Sequence, residues 1–328
     1  MPEPDLVLDH ARLARIRHGA TAVMDEPAVF RISGSGALGC LQGMLTNDLE
    51  KPGDDSLVYG AFLTPKGMIV VDAWVIRQPD GLTVIAPAEG HEAVVDIFQR
   101  QLPPRLAKVT DLTGQARVVR LLGGHAFQML ARSGIGTPEA AARVMSVGGD
   151  LSPVAVALAP ESAPFVGLMT GMAPAVEALV AKLIDAGAEA GDESDLRVAR
   201  LIEGWPTLGV EIDERTLPQE VRYDEIGGVS YTKGCYTGQE TVARLHFRGH
   251  TNRELRGLRW QETGQLDGRG ITRGEKDVGA VRSTLTLEDR RIGLAAIRRE
   301  VEPGDTVLAG GVEARVVPLP FRLEELDP

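Results

Sequence analysis

Apolar positions along the chain recur in short, turn-bounded stretches, some at helical spacing and some alternating. Ala37, Leu38, Leu41, Met44 and Leu45 fall at helical spacing, which predicts a helix over residues 33–49 capped by Ser33 or Ser35. Residues 59–63 and 68–76 read as two strands joined by the turn Thr64-Pro65-Lys66-Gly67. Gln78-Pro79-Asp80-Gly81 then returns the chain into a strand over 82–86, and a helix over 88–101 follows. Three strands and a helix in close succession point to a small α+β unit with antiparallel pairing. Farther on, 117–122, 126–130, 154–158 and 165–169 are strand candidates, with a short helix over 139–147. Pro174 suits the first turn of a helix that Gly187 stops. Asp192 or Ser194 caps the next helix, on which Leu196, Ala199 and Ile202 share a face and which Gly204 ends. Beyond Thr251 the pattern changes to strands at 254–260, 291–298 and 312–317, the mark of a C-terminal β-barrel or sandwich.

Composition narrows the class. A chain of 328 residues has room for two or three domains and a full hydrophobic core. Two cysteines, Cys40 and Cys235, exclude a disulfide scaffold and any four-cysteine metal or cluster site. A net charge of −11 argues against a general nucleic-acid binder. No apolar run reaches the roughly 18 residues of a membrane span, and the first twenty residues lack the apolar core of a secretory signal. The expectation is a cytoplasmic protein with neither nucleic-acid nor membrane partners.

One stretch departs from ordinary scaffold. Residues 229–244, VSYTKGCYTGQETVAR, bring a lysine, a thiol, two tyrosines and two glycines into a few positions. Charge reverses here: residues 233–259 carry a net +4 in a chain of −11. Such a run is either a solvated face or a site for an anionic ligand with a flat ring, where cations meet carboxylates and tyrosines supply rigid contact area. Lys233 beside Cys235 would favour the thiolate. Cys40, on an apolar helix, reads as core filler. His246 and His250 stand four apart, but neighbouring Gly249 and arginines speak against a metal site.

The segment Lys233-Gly234-Cys235-Tyr236-Thr237-Gly238-Gln239-Glu240 resembles the signature of the folate-binding YgfZ family. These are relatives of the glycine-cleavage T-protein (aminomethyltransferase) associated with iron–sulfur cluster assembly or repair. The resemblance extends to Arg200-Leu201-Ile202-Glu203-Gly204-Trp205-Pro206, to Leu217-Pro218-Gln219-Glu220, to residues 41–48 and 64–67, and to a barrel-like stretch at 279–297. It implies an α+β fold: a T-protein-like three-domain ring around a central folate channel, with two α+β domains and a C-terminal β-barrel. The expected domains are 1–50 with 112–245, an insertion at 51–111, and 246–328. The T-protein usually carries a residue other than cysteine at Cys235, and two adjacent aspartates where this chain has Val71-Asp72. The implied ligand is tetrahydrofolate or another reduced folate, and the implied partners are iron–sulfur client or assembly proteins. The protein would be an accessory factor or, alternatively, a folate-dependent one-carbon transferase.

Particular residues follow from both lines. Cys235 and Lys233 are the candidate reactive pair. Glu203 can accept the exocyclic amine and adjacent ring N–H of a pterin in one plane, or pair locally with Arg200. Asp72, in an apolar strand on the face of Val70 and Trp74, needs a partner and either faces the channel or bonds locally. Tyr236 stacks on the ring or supports its loop. Asn47 contacts ligand or caps a turn. Arg244 and Arg248 reach the ligand or serve as helical surface charges.

Overall fold

A computed structural model describes residues 6–148, 153–288 and 290–322, and within them the chain builds three sheets. The first elements are β1 (Leu6–Leu8), α1 (His10–His18), β2 (Thr21–Asp25), β3 (Ala28–Ser33), α2 (Ala37–Gln42), β4 (Ser56–Leu63), β5 (Ile69–Gln78), β6 (Gly81–Ala86), α3 (His91–Gln101) and β7 (Lys108–Asp111). Next come β8 (Ala116–Leu122), α4 (Ala126–Arg132), β9 (Val144–Val147), β10 (Val154–Leu158), β11 (Gly167–Met172), α5 (Ala173–Asp185), β12 (Glu189–Gly191), α6 (Glu193–Glu203) and α7 (Gln239–Arg248). The chain closes with β13 (Arg253–Trp260), β14 (Gly270–Arg273), β15 (Lys276–Leu287), β16 (Arg290–Arg298), β17 (Thr306–Ala309) and β18 (Val312–Val317).

A five-stranded sheet runs β4-β5-β6-β3-β7, and a six-stranded sheet runs β12-β2-β8-β11-β10-β9. Strand alternation explains how each is buried on both faces. On β5, Val71, Ala73 and Val75 pack into a core with Val94, Ile97 and Phe98 of α3, whereas Trp74 and Ile76 enter the central core. On β8, Val119 and Leu121 pack with α4 and α5, whereas Ala116, Val118 and Leu122 face the same central core. The two sheets therefore meet across one shared interior, to which α6 adds Leu196, Val198, Ala199, Leu201 and Ile202. Helix α6 begins at a reciprocal cap, Asp192 with Asp195, and ends at Gly204 in the left-handed region. The third sheet closes into a barrel of β15-β14-β17-β18-β13-β16, and β1 adds in parallel to the free edge of β15. The expected α+β class with a C-terminal barrel is the fold observed.

Several local expectations give way. The helix over 33–49 contracts to Ala37–Gln42, with Gly36 rather than a serine at its start. After Gly43 the chain turns, and Leu45 bridges to Phe62 instead of continuing the helix. The apolar run 126–130 is helical, since Ala126, Met129 and Leu130 are its buried side. Residues 144–147, expected in a helix, pair antiparallel with β10. Sheet membership also departs from the expected 50/51 boundary, because β3 hydrogen-bonds to β6 and β7 and so belongs to the five-stranded sheet. Residues 1–5 and 323–328 of the expected outer domains lie outside the described residues.

Candidate functional site

A cavity of about 680 Å³ opens where the two α+β sheets and α6 converge. Asp72 and Trp74 of β5, Arg120 of β8, Asp25 of β2, Phe165, and Arg197 and Arg200 of α6 line it, with Trp205 and the loop at 207–210. Alternation places Asp72 and Trp74 on one face of their strand, as the sequence indicated. Asp72 is 8% exposed. Its Oδ2 accepts from the Tyr59 hydroxyl at 3.0 Å, and Tyr59 in turn meets the Tyr223 hydroxyl at 3.1 Å. Asp72 Oδ1 has no partner among the described residues. Burial raises the pKa of this carboxyl, against the pull of Arg200, the Tyr59 hydrogen bond and Arg120. Flat side chains form the apolar wall: Trp74 and Trp205 stack with centroids 5.6 Å apart at 11°, and Phe165 meets Trp74 edge-on at 5.0 Å.

The arginines of this cavity were not singled out as ligand residues by sequence reasoning. Arg120 occupies an inward position of the strand pattern Ala116, Val118, Arg120, Leu122, so a cation interrupting an apolar face was the available signal. It is 4% exposed and bonds Asp25 through Nη1. Arg197 and Arg200 follow Glu193 at the four- and seven-residue spacing that puts all three on one face of α6. Glu203 extends this helix by one more turn but is not among the residues lining the cavity. Burial raises its pKa, and the charges of Arg222 and Arg17 oppose that rise. Glu203 and Asp72 thus do not line this cavity together.

The signature segment lies elsewhere, and its members divide by role. Lys233 is buried, and its Nζ donates to the carbonyls of Gln42, Leu45 and Asn47 at 2.6, 2.7 and 2.8 Å. Burial lowers its pKa to about 8. The ammonium thus fixes the chain after α2 and is committed to carbonyls instead of to a thiol or a ligand carboxylate. Tyr236 is buried in the central core with the Lys233 ammonium 5.1 Å from its ring centroid, which is the loop-supporting alternative. Asn47 donates to the carbonyls of Tyr59 and Gly227 and caps the Asp48 amide. Cys235 is exposed, whereas Cys40 is half-buried against the core of the five-stranded sheet.

The positive segment does not converge on the cavity. Arg244 and Arg248 are exposed on α7, and Arg244 borders a separate shallow depression with Lys66 and Arg215. Arg253, Arg256 and Arg259 belong to β13, where Arg256 pairs with Glu254. His246 stacks on Tyr231 at 3.6 Å and approaches Asp224.

The fold is that of the glycine cleavage system aminomethyltransferase T. Residues 16–147 match the family model of the GCVT N-terminal domain. The chain is 30% identical over 307 residues to an aminomethyltransferase of Rubrobacter xylanophilus, spanning 88% of this chain and 79% of that protein. It is 26% identical over 311 residues to the tRNA-modifying protein YgfZ of Escherichia coli, spanning 92% and 93%. Among solved structures, the glycine cleavage system aminomethyltransferase T from Bartonella henselae superposes with a TM-score of 0.79 at 18% identity, over 95% of this chain and 89% of that one. The chain belongs to the family of aminomethyltransferases and their YgfZ relatives.

Proposed function

We propose that this protein binds a reduced folate, tetrahydrofolate or a close derivative, in the cavity between its two α+β sheets. In the bound state it supports assembly or repair of iron–sulfur clusters in client enzymes. The observation that carries the folate reading is the orphaned carboxylate oxygen of Asp72 beside a wall of Trp74, Trp205 and Phe165. A pterin is a flat ring with an exocyclic amine next to a ring N–H, and a buried acceptor without a partner suits such a donor. The cluster-related role is motivated by the resemblance of residues 233–240 to the signature of a family associated with iron–sulfur cluster assembly or repair. The chain has too few thiols for a four-cysteine cluster of its own, so the exposed Cys235 would act toward a partner.

Two of the three tryptophans line the cavity, so intrinsic fluorescence should change as tetrahydrofolate is titrated in. Asp72→Asn should weaken binding by roughly 1–3 kcal/mol, the cost of a lost charged acceptor. An unchanged titration in that variant would remove Asp72 from the site. For the cluster role, a strain lacking the protein should regain iron–sulfur enzyme activity with the wild-type chain and less with Cys235→Ser.

A second reading is a folate-dependent one-carbon transferase, favoured by the 30% identity to an aminomethyltransferase. Methylene-tetrahydrofolate formed from tetrahydrofolate and an aminomethyl-lipoyl donor would establish it.

A further inference from the structure

Helix α7 buries only Val242, so most of its circumference is open. Glu240, Arg244 and Arg248 follow one another at four-residue spacing along one side, all exposed, with Phe247 beside them and 66% exposed. Near the start of the helix, the turn 64–67 and the segment 215–217 meet it around an open depression of about 470 Å³. Lys66, Arg215, Arg244 and Glu240 line this depression, and Met68 and Leu217 supply half-buried aliphatic surface. Lys66, Arg244 and Arg248 make no ion pair among the described residues, and Arg215 meets Glu214 at 3.8 Å with both side chains in solvent. The turn and the helix are close-packed here. A Cβ on Gly67 would lie 2.9 Å from that of Thr241, and one on Gly238 would lie 2.6 Å from the Thr64 carbonyl oxygen. Lys66 and Arg244 are thus carried on two elements in direct contact.

We propose that this surface docks an acidic segment of a partner protein. Its carboxylates meet Lys66, Arg215, Arg244 and Arg248, and its apolar side chains rest on Phe247, Met68 and Leu217. A chain of net charge −11 repels an acidic partner over most of its surface, so one locally positive patch selects both the partner and its orientation. Cations without an ion pair of their own give none up on binding, and arginine takes a carboxylate in bidentate fashion. Nucleic acid is the other polyanion that meets such patches. Four phosphate contacts sustain only weak, sequence-independent binding against that overall charge, and aliphatic surface offers nothing to a sugar–phosphate chain. The exposed Cys235 precedes Glu240 by five residues, so chain length holds it within about 18 Å of the depression. A docked partner therefore lies close to the thiol. The inference rests on the proposed cluster role for the partner's nature as a client or assembly protein, and it is independent of folate.

The test is fluorescence anisotropy of the full chain with three labelled probes: a short peptide of aspartates and glutamates around two leucines, the same peptide with asparagines and glutamines, and a single-stranded RNA of matching charge. Wild-type protein should bind the acidic peptide at least about tenfold more tightly than its amide counterpart, and less tightly as salt rises. Lys66→Glu with Arg244→Glu should remove that preference. Arg132→Glu with Lys182→Glu changes the net charge equally at exposed positions of α4 and α5 and should keep it. Phe247→Ala should weaken binding at every salt concentration. Urea unfolding of each variant checks that it is folded, and tetrahydrofolate affinity should be unchanged, because none of these residues lines the inter-sheet cavity. Equal or no affinity for the two peptides, or an equal loss in both double variants, overturns the inference. RNA bound more tightly than the acidic peptide and released by Lys66→Glu with Arg244→Glu assigns the surface to nucleic acid and overturns it as well. In a strain lacking the protein, Lys66→Glu with Arg244→Glu should restore less iron–sulfur enzyme activity than the wild-type chain. If the wild-type chain restores none, the cluster role fails while the peptide titration still decides the docking.

Discussion

Asp72 places a binding requirement and a stability cost in one side chain. Its folded pKa lies above the ordinary 3.8 because burial disfavours the charged form. The folded state therefore holds the proton more tightly than the unfolded chain. The stability this contributes is complete below the ordinary value and is lost as pH rises through the folded pKa. Asp72→Asn removes that dependence, so its urea midpoint at pH 7 should equal or exceed the wild type, and the gap should close toward pH 4, even as folate affinity falls. Lys233 behaves in the opposite way under mutation. Lys233→Met strands two buried carbonyls and one part-buried carbonyl, and a loss of roughly 1–3 kcal/mol in denaturant unfolding is expected. At the thiols, exposure decides the outcome: a small alkylating reagent should modify Cys235 well before Cys40, followed by mass spectrometry of the two peptides.

The element that joins the signature to the rest of the protein is the start of α7, and its two glycines are not equivalent. Gly238 has φ +83°, and a Cβ there would lie 2.6 Å from the Thr64 carbonyl in the turn between β4 and β5. A Cβ on Gly234 would meet nothing within 4 Å. Gly238→Ala should therefore cost more than about 1–2 kcal/mol, strain plus clash, while Gly234→Ala should be close to neutral in the same thermal melt. In the sequence nothing separates the two glycines, because the turn that crowds Gly238 is about 170 residues away in the chain. The same limit explains α4 and β9. A run of five apolar residues fits either period, and only the pairing of β9 with β10 or the packing of α4 on the six-stranded sheet decides between them.

Across the whole molecule, the barrel is tied to the cavity by Glu211. Its Oε2 accepts from the amide of Thr207, which lines the cavity, and its Oε1 accepts from Ser283 of β15 at 2.6 Å. The carboxylate is buried, so each bond is made without competition from water. Glu211→Ala should loosen the loop at 207–210 and lower both stability and tetrahydrofolate affinity, with no change to Asp72 or its strand. Calorimetry showing full affinity in a destabilised Glu211→Ala would confine this link to the fold and separate it from the site.

The sequence by itself determined much of the element order in the two α+β units, the C-terminal barrel, the family, and Asp72 as a carboxylate in need of a partner. Those features are written in local periodicity, turn residues and contiguous motifs, which the chain carries without reference to distant segments. Tertiary structure decided where the motif's chemistry points. The lysine of the signature bonds to carbonyls almost 190 residues earlier, its tyrosine enters the core, and Glu203 falls outside the cavity despite its neighbouring turn. It also brought Arg120 to Asp72 from a different sheet. Adjacency in sequence sets which groups are available, but the direction of a side chain and the partner it meets depend on strands and helices packed from remote parts of the chain.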